Sequence, residues 1–298
     1  MLQPTRSFRK LSISARQDIF DLFTGQYLSV FKGQGLDYEE SRYYHEGDNV
    51  RDIDWTTSAR TGELFVKTYR ESREINALFA VDTSSSARWA ISGVSPAELS
   101  MSAMLWIAAV VNRNNDKLGA YIFSDTVKKI PFTKGTPHTI STLNEIEHEY
   151  YKDSVFHKEN FEIFLQSLLA GVRSKTICFL CTDSNEVANP GVQKHLKVLN
   201  KKHQVVLIRS SHSLSSLEKL QGSERFQDIE TGQEKVMRFR KKDMQKLHVA
   251  YQQVGKDIQV FCRKNRMGYV ALNEHSDVLY ELVQCMRELK RTRQFMYK

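Results

Sequence analysis

The sequence predicts an α/β fold, a mostly parallel sheet covered by helices on both faces, and three observations predict it. From residue 75 onward, short apolar runs alternate with segments of helical periodicity. The apolar runs are continuous, the pattern of strands buried on both faces. The segments between them have the length of crossover helices, which parallel strands require.

Taken in order, INALFAVD (Ile75 to Asp82) is a continuous apolar strand. A helix follows over about Ala97 to Asn114, with Ser95 as N-cap and Pro96 in its first turn. Met104, Ile107, Ala108 and Val111 recur there at helical spacing. LGAYIF is a second strand, and VKKIPF pairs with it as a third. Helices over about 137–150 and 160–172 lead to the buried strand KTICFLCTD. PGVQKHLKVLNKK is the next helix and QVVLIRS the next strand. A hairpin, RFQDIETGQEKVMRF, turns at Thr231 and Gly232. A long amphipathic helix keeps Met244, Leu247, Tyr251, Val254, Ile258 and Phe261 on one face, with Gly268 placed to terminate it. GYVALN is the last strand, and 276–292 the last helix. The first 74 residues, rich in charge and aromatics, read as short strands and turns on the edge of the 75–298 domain, a small β-rich appendage.

Composition sets the class. The 298 residues are 41% hydrophobic and 26% charged, as in an ordinary globular protein. The longest apolar run, Ala103 to Val111, falls short of the roughly 20 residues that span a bilayer. The opening MLQPTRSFRK develops no apolar core of the kind a secretory signal has. Cys178, Cys181, Cys262 and Cys285 lie inside periodic apolar segments, where free thiols behave as small hydrophobes. Cys178 and Cys181 form a C-x-x-C, but on a strand that spacing sends the two side chains to opposite faces. These readings place the chain in the cytoplasm.

The net charge of +8 is concentrated in two clusters. Lys235 to Lys246 carries six basic residues and one acid, and Met286 to Lys298 carries five and one. Such clusters meet nucleic acid, anionic lipid or an acidic protein face. Lacking interleaved aromatics and a nucleic-acid motif, they read as solvated helix faces. The chain contains no P-loop, no G-x-G-x-x-G and no G-x-S-x-G, so no bound nucleotide is expected.

In a parallel α/β sheet, ligands gather at the carboxyl ends of strands, where strand order switches. The first strand ends in Asp82-Thr83-Ser84-Ser85-Ser86, a D-x-S-x-S, and the ICFLCTD strand ends in Asp183. Alternate residues of a tight loop share a side, so Asp82, Ser84 and Ser86 can turn oxygens toward one point. Hydroxyl and carboxylate oxygens are hard ligands suited to Mg²⁺ or Mn²⁺. The same residues can instead cap the following turn and helix. In GDNVRDIDW, Asp48, Asp52 and Asp54 are placed to pair with Arg42, Arg51 or Arg60 while Trp55 packs inward. A docking surface formed by Arg51, Asp52, Asp54 and Arg60 is the functional alternative.

The D-x-S-x-S with a later strand-end Asp resembles the metal-ion-dependent adhesion site of von Willebrand factor A domains. The run GQGLDYEESRYYHEGDNVRDIDWTTSARTGELFVKTY is similar to the signature of the bacterial family catalogued as domain of unknown function 58. Its core, G-D-x-x-R-x-I-D-W followed by S-A-R, is met from Gly47 to Trp55 and from Ser58 to Arg60. FQDIETG and the final strand–helix pair also resemble that family, so the likeness covers roughly residues 30 to 290.

The resemblance implies a von Willebrand factor A-like (Rossmann-like) fold and pairing with a MoxR-type AAA ATPase in chaperone-like assembly on a client protein. It implies Asp82, Ser84 and Ser86 as direct metal ligands and Asp183 as a ligand directly or through water. A partner carboxylate would complete the metal's shell. Two departures stand out. The Thr usual ahead of the helix before the Asp183 strand is missing from DSVFHKENFEIF, leaving Ser154 or Thr136 as substitutes. The membrane helices that precede this domain in many relatives are also not seen. The expected function is a metal-dependent protein–protein interaction module, not an enzyme. The alternatives are a metal-dependent phosphohydrolase with Asp82 as nucleophile, where its expected second Asp is Ser84, and a basic-patch binder of nucleic acid or membrane surface.

Overall fold

A computed structural model describes residues 17–31, 37–70, 75–88, 90, 93–124, 126–152, 161–212, 222–227, 234–239 and 241–294. Among the described residues, in chain order, the helix Gln17–Phe31 (α1) comes first. Strand Asp37–Tyr43 (β1) then pairs antiparallel with Phe65–Arg70 (β2), and the short helix Trp55–Thr61 (α2) lies between them in sequence. The central sheet is made from Asn76–Asp82 (β3), Lys117–Phe123 (β4), Val127–Thr133 (β5), Ile177–Thr182 (β6), Gln204–Ser210 (β7) and, after the hairpin Gly222–Gln227 (β8) with Glu234–Phe239 (β9), Gly268–Leu272 (β10). Its order is β10-β7-β6-β3-β4-β5, parallel throughout except for β5 at one edge.

Helices cover both faces, because each buried strand sends alternate side chains up and down. Pro96–Arg113 (α3), Thr136–Tyr151 (α4), Val278–Gln294 (α8) and α1 share one core with Phe79, Ile122, Phe179 and Ile208. Phe161–Gly171 (α5), Pro190–Lys202 (α6) and Lys241–Lys264 (α7) share the other with Leu78, Tyr121, Leu180 and Leu207. Cys178 and Cys181 fall in opposite cores, and all four cysteines are free and buried. Helix α3 starts as expected: Ser95 accepts from the Glu98 amide, and the Glu98 carboxylate accepts from the Ser95 amide, a complete capping box.

Three details depart from expectation. Residues 17–31 form a helix, not strands and turns, and bury Phe20, Phe23, Tyr27 and Val30 at helical spacing. Tyr27 anchors it by donating to Asp116 Oδ2 at 3.3 Å, while Asp116 Oδ1 accepts from the Ile75 amide at 3.1 Å. After α7 the left-handed residue is Arg266, at φ 58°, not Gly268. Gly268 instead opens β10 at a close approach: an added Cβ would meet Cys285 Sγ at 3.0 Å and Leu289 and Val206 at 3.1 Å. Finally, Trp55 does not pack inward but is 65% exposed. The predicted turn at Thr231 and Gly232 lies outside the described residues.

Candidate functional site

Sheet order places the site. The chain begins its sheet at β3, extends to β4 and β5 on one side, and then crosses to β6, β7 and β10 on the other. The loops leaving β3 and β6 therefore diverge in opposite directions, opening a crevice at their carboxyl ends. Asp82 closes β3, and Asp183 follows β6 directly. The parallel register sets Val81 beside Cys181, so Asp82 and Thr182 stand level across the crevice.

Asp82 is 3% exposed, and burial raises its carboxyl pKa. Hydrogen bonds offset part of that rise. The Thr182 hydroxyl donates to Oδ2 at 2.7 Å, the Ser84 amide donates to Oδ1 at 3.1 Å, and the Ser84 side chain also bonds to the carboxylate. The Ser84 and Ser86 hydroxyl oxygens lie 3.2 Å apart. Thr83 turns away and ties the loop down, its amide and hydroxyl both donating to the Phe123 carbonyl, at 2.9 and 2.8 Å. The loop then enters a 3₁₀ turn over Ser85–Arg88, with the Ala87 amide on the Ser84 carbonyl. Asp82 thus braces its own loop, as the capping reading expects, and the Ser84 hydroxyl stands between the carboxylate and the Ser86 hydroxyl.

Asp183 is half-buried, with its Oδ1 enclosed. Tyr150, near the end of α4, is buried. Burial raises the Tyr150 phenol well above its ordinary pKa, and the charges of Asp82 and Asp183 both push it further in that direction. A hydrogen bond with Ser100 of α3 opposes them, and Ser100 in turn shares a 2.8 Å contact with Ser210 at the end of β7. Thr182, Tyr150, Ser100 and Ser210 are the residues that sequence reasoning missed. Strand-end register is the signal that finds Thr182; nothing local to the other three marks them.

The donor set fits a hard cation. Adjacent oxygens around an octahedral Mg²⁺ at 2.0–2.1 Å lie about 2.9 Å apart, close to the 3.2 Å between the two serine hydroxyls. A carboxylate oxygen accepts more than one bond, so Asp82 keeps lone pairs beyond those used by Thr182 and Ser84. Of the two substitutes for the missing Thr, Thr136 is excluded: it follows β5, whose Thr133 pairs with Leu118 at the opposite end of the sheet. Ser154 lies outside the described residues. A second acidic group, Glu145, His148 and Glu149 on α4, brings its ligand atoms within 4.8 Å of one another. The Lys128 ammonium already bonds Glu145 and reaches Glu149 at 3.5 Å, so a cation is built in there.

The residues nominated for docking separate into two groups. Asp54 turns inward at 6% exposure. It caps α2 by accepting from the Thr57 amide at 3.2 Å, and it accepts from the Ser41 and Thr57 hydroxyls at 2.6 and 2.8 Å. These bonds, not an arginine, hold its carboxyl at about 2. Asp48 pairs with Arg42 as expected, through two bonds of 2.7 Å. Asp52 is half-buried in a 3₁₀ turn with Arg51, whose side chain lies outside the described residues, and Arg60 is exposed in the last turn of α2. Around them Tyr43, Val50, Trp55 and Leu64 expose 48–65% of their surface.

The family described as "Protein of unknown function DUF58" matches residues 40–259. Among curated proteins, the chain is 28% identical over 141 residues to the uncharacterized protein Rv1480 of Mycobacterium tuberculosis (strain ATCC 25618 / H37Rv). It is equally similar to the uncharacterized protein Mb1516 of Mycobacterium bovis. These matches cover 47% of this chain and 44% of each relative, so the chain spans less than half of their length. Among solved structures, BatB from Bacteroides thetaiotaomicron aligns at 14% identity with a TM-score of 0.46, covering 73% of this chain and 99% of that one. An aerotolerance-related membrane protein from Bacteroides fragilis aligns over the same shares at 12% identity with a TM-score of 0.42. No helix among the described residues is long and apolar enough to cross a membrane.

Proposed function

We propose, from the premise that the chain belongs to the DUF58 family, that it is a metal-dependent protein–protein interaction module. The observation that carries this reading is the oxygen cluster at the switch point, where the Ser84 side chain bonds the Asp82 carboxylate and its hydroxyl lies 3.2 Å from that of Ser86, with Asp183 following the neighbouring strand. Asp82, Ser84 and Ser86 would hold Mg²⁺ or Mn²⁺, with Asp183 contributing directly or through water. The cation would supply an open coordination position for a partner's carboxylate. Thr182 orients Asp82 and Thr83 pins the loop.

The module acts by binding, not catalysis, and the partner we assign is a MoxR-type AAA ATPase together with a client protein. The family likeness supports that partner, and the amino-terminal segment that carries the exposed Tyr43, Val50, Trp55, Arg60 and Leu64 offers side chains suited to docking. Four buried, free thiols support a cytoplasmic setting. Titration calorimetry with Mg²⁺ and with Mn²⁺ on wild type and Asp82→Ala tests the metal: binding heat lost in the variant is the expected result, and equal heats end the reading. Capture of the ATPase from native lysate, with and without chelator, tests the partner.

A further inference from the structure

One edge of the central sheet is β10, whose only strand neighbour among the described residues is β7. Beside that edge the end of α7 and the face of α8 stand apart, leaving a groove of about 680 Å³. Its floor is the start of β10 with the buried Met267 and Leu289, and its rim carries Arg263, Arg266 and Arg291. All three arginines are exposed, and Glu288 is the single acid lining the groove. Arg291 belongs to the basic stretch at the end of the sequence, which the strand-end crevice does not use.

We propose that this groove binds an extended acidic segment of a partner protein as an added strand along β10. A strand edge presents backbone donors and acceptors at alternate positions, and a polypeptide is the ligand whose own backbone pairs with them; the Tyr269 amide already donates to Cys285, so the incoming backbone would pair farther along β10. The five residues of β10 offer about 16 Å of edge, enough for a segment of similar length. Apolar side chains of the incoming strand would face Met267 and Leu289, and acidic ones would meet the arginine rim. A nucleic acid or lipid headgroup would answer the charge but not the strand edge.

The test uses the full chain and a fluorescein-labelled peptide of alternating Val and Glu, seven residues long, read by fluorescence polarisation. Saturable binding is expected. It should weaken by about tenfold or more in the Arg263→Glu/Arg291→Glu double variant and for the same peptide N-methylated at alternate residues. The N-methylated probe is read on wild type, so it decides the matter even if the double variant misfolds. Binding unchanged by a chelator separates this groove from the strand-end crevice. No saturation up to about 1 mM, equal affinity for the N-methylated probe, or a preference for a DNA duplex or phosphatidylserine vesicles would overturn the proposal.

Discussion

The Thr182 hydroxyl donates a 2.7 Å hydrogen bond to Asp82 Oδ2 across 100 residues of sequence, joining the carboxyl ends of β3 and β6. The same oxygen, Thr182 Oγ1, accepts from the Ser184 amide at 3.0 Å, so one side chain orients an acid and shapes the loop carrying Asp183. Thr182→Val keeps the shape and removes both bonds. It should destabilise the protein by about 1–3 kcal/mol, because a buried acceptor is left unsatisfied. Urea denaturation of the two proteins measures this, and an unchanged midpoint would show the bond to be incidental.

Acid should loosen the amino-terminal lobe in a defined window. The Asp54 carboxyl sits at about 2, held down by Ser41 and Thr57, against about 3.9 in an unfolded chain. Because the folded value is the lower one, its contribution is complete above about pH 4 and disappears as pH falls through about 2. The gap in melting temperature between wild type and Asp54→Asn should therefore narrow between pH 5 and pH 2.

Gly268→Ala should cost stability despite its small size. The new methyl would be within 3.1 Å of Cys285, Leu289 and Val206, and Val206 is fully enclosed in the core with little room to retreat. Overpacking of this kind costs about 1–3 kcal/mol. Thermal denaturation reads it directly.

The thiols should be inert until the protein unfolds. Burial pushes Cys178, Cys262 and Cys285 up to about 12 and Cys181 higher still, so little thiolate exists at neutral pH. Ellman's reagent should leave the native protein unmodified and titrate all four cysteines in denaturant. Fast reaction of the native protein would contradict the burial.

Trp55→Ala separates docking from folding. A side chain 65% exposed contributes little to stability, within about 0.5 kcal/mol for an ordinary surface substitution. Large exposed aromatics dominate binding energy where they meet a partner. Melting temperature should hold while ATPase capture falls, and retained capture would move the docking face elsewhere.

Much of this was legible from local pattern. The strands at 76–82, 117–123, 177–182 and 204–210 and the α3 cap follow from apolar runs and one Ser-Pro-Ala-Glu start. Helix α1 was missed although Phe20, Phe23, Tyr27 and Val30 keep a three-four-three spacing, because its flanking residues read as appendage. Asp54 takes Ser41 and Thr57 in place of the expected arginine, and Trp55 faces outward: their neighbours in sequence do not reveal that Ser41, on a paired strand, bonds the acid.

By itself the sequence determined where the main strands and helices after residue 75 form and which oxygens stand at two strand ends, since periodicity and capping act over a few residues. Only the tertiary structure decided that β3 and β6 lie side by side, that Thr182 faces Asp82, and that Tyr150, brought by α4, senses both acids. Those relationships depend on strand order and register, which are set by burying whole faces of a sheet at once and leave no mark in any single segment.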